Sequence, residues 1–412
     1  MRIGIDIRSL SANKHSGVEE YIYNLLPELF RVGKDDEFIL FYNSFREPLT
    51  KKVQKWGKMP NVEIIDYRLP SKILNLCLWA FRLPQLDKLL KNLDVIFFPN
   101  ITFSSVSQKT PFVITFHDLS YELFPNFFNF YRRLWHFLIN PRKKAQEAAK
   151  IIAVSCGTAE DIINLYKVER KKIYPIPLGL SPLFTIKEVK KDKNSNTKSP
   201  FLPLIFWDSL VSPIQKKKNE DLLKRRYQLP GRPFILYLGT IEPRKNLPTL
   251  IKAFNLYKQK TGSQFDLVIA GAAGWSYEDV FAQARRSPYK ENIYFPGPIR
   301  NIDRPLLYKT ASLFVFPSFF EGFGLPPLEA MAVGTPVICS ASTSLLEIFG
   351  DHALMANPHD IGELAWAIER LLADNTLSKS LSEEGKKFAQ KFSWEKTAEK
   401  TLAVLHEAAQ DT

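Results

Sequence analysis

One rhythm constrains this chain more than any single residue does, and it occurs twice. Short β-branched and aromatic runs alternate with stretches of helical period, once before and once after a Lys-, Asn- and Ser-rich segment. Before that segment, strands are expected at Arg2–Ile7, Phe38–Tyr42, Val62–Asp66, Val95–Phe98, Phe112–Thr115, Ile151–Val154 and Lys172–Ile176. After it they are expected at Phe234–Leu238, Leu267–Ala270, Ile293–Phe295, Leu313–Phe316 and Val337–Ser340. Between them lie amphipathic helices. In one, Leu247, Leu250, Ile251, Phe254 and Tyr257 mark a single face, with Asn246 placed as its cap and Pro248 in its first turn. A strand that returns parallel through a helix needs a crossover, so two such blocks predict an α/β protein with two doubly wound, Rossmann-like parallel-sheet domains. Ligands in such sheets bind beyond the carboxyl ends of the strands, and two facing sheets are expected to enclose a cleft.

The Lys-rich segment sets the domain expectation: 1–185 for the first block, 186–226 for a basic linker or insertion, 227–390 for the second block, and 391–412 for a C-terminal helix that crosses back to the first. The apolar run Phe201–Val211 inside the linker reads as a strand or patch docked on a domain in preference to a membrane-touching loop. Composition enters here. The 412 residues carry 56 Lys+Arg against 43 Asp+Glu, a net charge of +13, and 45% hydrophobic residues leave ample material for large cores. That excludes a disordered chain and a small disulfide scaffold. Cys77, Cys156 and Cys339 are odd in number and far apart, which fits a reducing compartment. The N-terminus reads as a strand and not as a signal peptide, and no apolar run approaches the ~18 residues of a membrane span. A cytoplasmic protein is expected, with peripheral attachment to the inner membrane face as the open question.

The most informative string is Glu321-Gly-Phe-Gly-Leu-Pro-Pro-Leu-Glu329, between an apolar strand and a helix only about two turns long that Gly334-Thr335-Pro336 ends. The loop offers backbone amides and a positive helix end, and Gly322 and Gly324 leave backbone open beside both acids. Two carboxylates there suit the hydroxyls of a sugar; a hydrolytic acid/base pair, or a mere turn residue and dipole partner, are the competing readings. The string Gly239-Thr-Ile-Glu-Pro-Arg244-Lys245-Asn246 follows another strand. It places two cations where a diphosphate would fit, or else forms a solvated basic turn. His117, after the strand Phe112–Thr115, reads as a ligand contact or a hydrogen-bonded structural histidine. Gly17, Gly271 and the Pro296–Ile299 turn end or follow strands, where phosphate or a planar base can approach and where plain turns are also common. No D-x-D pair, Walker A loop, G-x-G-x-x-G after a strand or G-x-S-x-G elbow occurs.

In that order, Gly17, His117-Asp118, Gly239 to Asn246, Gly271 and the E-x7-E pair Glu321 and Glu329 resemble a retaining glycosyltransferase of the GT-B fold, family 4, the glycosyl transferases group 1. The strings GTIEPRKNL, LVIAGAAGW and FSWEKTA support the resemblance, which spans nearly the whole chain. It is nearest to bacterial mannosyltransferase-like enzymes of surface polysaccharide synthesis. The resemblance implies that Arg244 and Lys245 bind the diphosphate of a nucleotide-sugar, GDP-mannose being the first guess. It implies that Glu321 holds the sugar hydroxyls with the amides of Phe323, Gly324 and Leu325, and that Glu329 binds the ribose. His117 would then face the transferred sugar, Gly17 contact the phosphates, and Gly271 and Ile299 border the base. Thr240 stands where many members have Arg, so Arg244 takes that place. No metal or other cofactor is implied. The acceptor would be a glycan or polyprenyl-linked hydroxyl held by the first domain. There two basic-aromatic stretches, Ser71–Leu93 and Phe127–Lys144, read equally as core helices or as helices on anionic lipid. The rival classes are a GT-B-like nucleotide-sugar epimerase or phosphorylase and, outside enzymes, a basic nucleic-acid-binding protein. Against the last, no nucleic-acid module is present and much of the charge lies in the linker.

Overall fold

In the computed structural model, residues 1–11, 17–45, 48–184 and 213–411 are described. The chain forms two compact units. One comprises Met1–Gly179 with Ser393–Thr412, the other Leu180–Phe392.

The first unit holds seven strands: β1 (Arg2–Asp6), β2 (Glu37–Asn43), β3 (Val62–Tyr67), β4 (Val95–Phe98), β5 (Phe112–Phe116), β6 (Lys150–Ala153) and β7 (Ile173–Pro175). They run in the order β3-β2-β1-β4-β5-β6-β7, and every pairing is parallel. The second unit holds β8 (Phe234–Leu238), β9 (Asp266–Ala270), β10 (Ile293–Gly297), β11 (Leu313–Phe316), β12 (Val337–Ser340) and β13 (Leu354–Ala356) in the order β10-β9-β8-β11-β12-β13, again all parallel. Both sheets therefore wind outward in two directions from a central pair, β1|β4 and β8|β11, as the sequence rhythm requires. The central strands β4, β8, β9, β11 and β12 are buried at every residue. Covered on both faces, they lack the polar alternation of a half-exposed strand. β13 was not expected: it has three residues, two of them half-buried, too short for periodicity to register.

The last part of the expected linker is built into the second unit. Residues Pro213–Tyr227 form a helix that buries Leu223 and Tyr227 one turn apart, and the Tyr227 hydroxyl donates to Asp303 Oδ2 at 2.7 Å. Leu223 and Tyr227, at i and i+4, lie on one face of this otherwise charged stretch. The remainder of that segment, including Phe201–Val211, lies outside the described residues. The C-terminal helix Trp394–Gln410 packs in the first unit against the helix Gly17–Val32. No helix among the described residues is long and apolar enough to cross a membrane.

Candidate active site

The second sheet reverses direction between β8 and β11, and the loops leaving these two strands carry the charge. Arg244 and Lys245 lie in a single 3₁₀ turn after β8, and Glu321 lies after β11. Arg244 Nη1 donates to Glu321 Oε2 at 2.8 Å and to the Phe320 carbonyl at 3.0 Å. Lys245 Nζ donates to the other oxygen, Oε1, at 2.5 Å, and sits 5.1 Å from the Phe316 ring centre. On its far side Arg244 reaches Glu242 Oε1 through Nε at 3.1 Å and Nη2 at 3.0 Å. Glu321 is 7% exposed and Lys245 8%, so these are buried charges that persist because each is paired. Burial alone would push the Glu321 carboxyl up. The charges of Arg244 and Lys245 and the Lys245 hydrogen bond outweigh it and hold the group below the usual carboxylate range. A depressed carboxylate stabilises the fold above its unfolded pKa and loses that contribution as pH falls through the lower folded value, so Glu321 stays ionised throughout the neutral range.

Asn246 ties the two loops together. It occupies the cap position of the helix Leu247–Thr261, yet its side chain does not cap the helix as the sequence suggested. With φ +57 the backbone is left-handed, and Nδ2 points away to donate to the carbonyls of Pro317 at 3.1 Å and Pro358 at 2.7 Å. These tertiary bonds outcompete the local one and fix the β8 loop to the start of the β11 loop. Asn246→Ala should cost about 1–3 kcal/mol for the buried carbonyls left unpaired, readable by denaturant unfolding. Unchanged stability would remove this role.

The helix Leu325–Ala332 begins at Gly324, whose φ is +100 and whose absent Cβ leaves room for Leu345 and Phe349. Pro326 and Pro327 have no N–H, so of the backbone groups that open this helix only Gly324 and Leu325 keep an amide hydrogen. Glu329 lies within the helix, buried, and belongs to a separate cluster. Its Oε2 accepts from Tyr308 at 2.9 Å, and its Oε1 is 3.5 Å from Arg304 Nη1. Gly271 follows β9 with φ +143, and a Cβ there would lie 1.8 Å from the Gly239 carbonyl oxygen. The approach of those two loops by itself demands glycine at 271. Ile299 follows β10 and is buried.

In the first unit, His117 directly follows β5. Its Nε2 is 2.9 Å from the Pro99 carbonyl beyond β4, and its ring meets Tyr21 edge-on with centres 4.7 Å apart. Burial lowers its pKa, only partly offset by the Pro99 carbonyl and Asp118, so the ring is neutral at pH 7. A carbonyl can only accept, so the proton sits on Nε2 and Nδ1 is left as an acceptor. Gly17 is the exposed first residue of the helix that carries Tyr21. Arg244, Lys245 and Glu321 are thus in direct contact, Glu329 stands with Arg304 and Tyr308, and His117 and Gly17 belong to the other unit. Sequence reasoning missed Glu242, Arg304 and Tyr308. Only Glu242 carried a local signal, two residues before Arg244.

Two all-parallel doubly wound sheets, with a charged cluster at the switch point of the second, are the architecture of the GT-B fold. The solved structures agree at the level of fold. Anabaena Alr3699/HepE in complex with UDP and glucose superposes with a TM-score of 0.69 at 18% identity over 99% of this chain and 100% of its own. The sucrose-phosphate synthase of Thermosynechococcus elongatus gives 0.70 at 19% identity over 100% of both chains. The family model for glycosyl transferases group 1 matches residues 219–388, and that for glycosyltransferase family 4 matches residues 15–182. The O-antigen chain mannosyltransferase B of Escherichia coli is 31% identical over 290 residues, 70% of this chain and 68% of its own length. The serotype-specific mannosyltransferase WbdA of Escherichia coli is 30% identical over 276 residues, 66% of this chain and 30% of its own, so the chain matches about a third of that longer relative. The chain belongs to glycosyltransferase family 4.

Proposed function

We propose that this chain transfers a sugar, mannose in the first instance, from a nucleoside-diphosphate donor to an acceptor hydroxyl on a glycan or lipid-linked glycan, with retention at the anomeric carbon, in surface polysaccharide synthesis. The observation that carries the reading is the Arg244–Glu321–Lys245 cluster at the β8|β11 switch point. Mannose rests on the mannosyltransferases to which the chain is similar.

The bond from the anomeric carbon to the phosphate oxygen breaks, the bond to the acceptor oxygen forms, and the acceptor proton goes to the departing diphosphate. Arg244 and Lys245 stabilise the charge that develops on that group, so neither a protein nucleophile nor a metal is required. Glu242 and Glu321 already balance both cations, so the cluster is neutral before donor binds. The extra positive field then comes from the helix end at Gly324 and Leu325. Glu321, positioned by the cations, accepts from sugar hydroxyls. In this reading Glu329 takes the ribose in addition to Tyr308, Gly17 meets the phosphates, and Gly271 and Ile299 border the base. His117 faces the sugar with Nδ1 as acceptor.

The test is a thermal-shift screen against UDP-, GDP- and ADP-sugars followed by turnover with the best donor. GDP-mannose is expected to raise Tm most and to turn over only when an acceptor is present. Sugar release without acceptor, or no shift with any nucleotide-sugar, would overturn the proposal.

A further inference from the structure

A charged recess of the first unit takes no part in the chemistry above. The helix Ser71–Ala80 buries Leu74 and Leu78, and Phe130–Ile139 buries only Ile139. Where their C-terminal ends meet the loop after β4, they enclose a cavity of about 300 Å³. That is the lower end of the ~300–1,000 Å³ typical of small-molecule pockets. None of the residues assigned to sugar transfer lines it. It reaches Phe112, the first residue of β5, whereas His117 follows the opposite end of that strand, roughly 16 Å away at about 3.3 Å per residue.

The ligand class follows from the charges. Arg82, Lys143 and Lys144 line the cavity with a single carboxylate, Glu147. Glu147 lies 3.5 Å from Arg82 and 3.8 Å from Lys143, so these two share it. Lys144 makes no ion pair among the described residues. Its Nζ donates to Ser104, at 2.6 Å to the hydroxyl and 3.2 Å to the carbonyl. An ammonium carries three N–H groups, so one remains for a ligand. Burial lowers Lys144 to about 8, with Arg8 and Arg82 adding to the effect and Glu147 and Asp6 opposing it, the behaviour of an ammonium short of negative charge. Three cations against one carboxylate leave two positive charges, which a phosphomonoester, at about −1.5 to −2, balances. A bare ion would need only the cations. The walls also hold Trp79, Phe103 and Leu138, an apolar face for the body of a larger molecule.

We propose that this cavity is a second ligand site, which takes a soluble phosphomonoester the size of a sugar phosphate, its phosphate on Arg82, Lys143 and Lys144 and its body against Trp79 and Phe103. The site also has a path to the first sheet's own candidate residue. The loop that carries Ser104 carries Pro99, whose carbonyl lies 2.9 Å from His117 Nε2, so a ligand gripping Lys144 and Ser104 steadies the segment on which His117 rests. The inference does not depend on the proposed transfer reaction, because its readout is binding alone.

The test is isothermal titration calorimetry of the full chain with glucose-6-phosphate. Binding is expected with a Kd of about 1 mM or tighter, and glucose itself should give no heat. Inorganic phosphate should bind at least about fivefold more weakly, because it leaves Trp79 and Phe103 uncovered. Arg82→Ala with Lys143→Ala should weaken binding roughly tenfold per cation. That variant should keep the wild-type Tm, because the two side chains are 60% and 50% exposed. Affinity should also fall as pH rises through about 8, where Lys144 loses its proton while the phosphomonoester stays a dianion. The proposal fails if glucose-6-phosphate gives no heat, if its affinity ignores pH, or if the double variant binds it unchanged and so places the anion elsewhere. Equal affinity for inorganic phosphate would mark an ion site only. Displacement of the sugar phosphate by vesicles containing phosphatidylglycerol, and not by phosphatidylcholine alone, would give the cations to a lipid headgroup and overturn the proposal as well.

Discussion

Lys245→Ala is expected to lower kcat by about 10²- to 10³-fold, a loss of about 2.7–4 kcal/mol in transition-state stabilisation, while the protein still folds. The asymmetry comes from the cluster. Without Lys245 the buried Glu321 keeps Arg244 at 2.8 Å, so no carboxylate is stranded. The charge on the leaving diphosphate nevertheless loses the donor poised beside it. Steady-state turnover with the best donor, set against a melting curve of the same preparation, checks both halves. Near-normal turnover would place the diphosphate elsewhere and remove the assigned chemistry.

Glu321→Ala should be costlier, because it removes a carboxylate shared by two cations. Removing one member of a buried ion pair typically costs about 3–5 kcal/mol, since the partner stays desolvated without its counter-charge. Here Arg244 retains Glu242 and the Phe320 carbonyl, whereas Lys245 retains the ring of Phe316. The loss should therefore fall mainly on Lys245, and Glu321→Ala with Lys245→Ala should be less destabilised than the sum of the single variants. A double-mutant cycle by denaturant unfolding measures this, and additivity would show that the contact is not energetically coupled. Activity should vanish in the single variant. Wild-type stability with intact turnover would mean that neither the contact nor the carboxylate matters.

The expected strands reappear within a residue at each end, except that β10 runs two residues further, and most of them are buried runs of Ile, Leu, Val and Phe bounded by polar loops. In those segments local pattern and tertiary role agree. The loop Glu321–Gly324 was legible for a related reason. Gly324 needs a positive φ and Pro326 and Pro327 suit only a first turn, so three residues fix the turn before any contact forms. What the sequence could not reveal is who pairs with whom. Glu329 meets Tyr308 21 residues away, and Lys245 meets Glu321 across 76. Asn246 misled for the same reason: its local signal was a cap, but two carbonyls more than 70 residues away in sequence claim its amide. The exposed faces of Ser71–Ala80 and Phe130–Ile139 were undecidable from periodicity, which reports that a face is apolar and not what covers it.

The placement of the helix Trp394–Gln410 has a consequence for synthesis. The second unit is strung between Gly179 and Ser393 of the first, and Leu180 N donates to the Phe392 carbonyl at 3.3 Å where the chain enters and leaves it. A ribosome therefore delivers all of the second unit before it delivers the segment that seals the first. The helix Gly17–Val32 must wait, with part of its apolar surface uncovered, for a partner made more than 360 residues later. The domain translated first is the one completed last, and a product released before residue 393 would carry a finished second unit on an unfinished first.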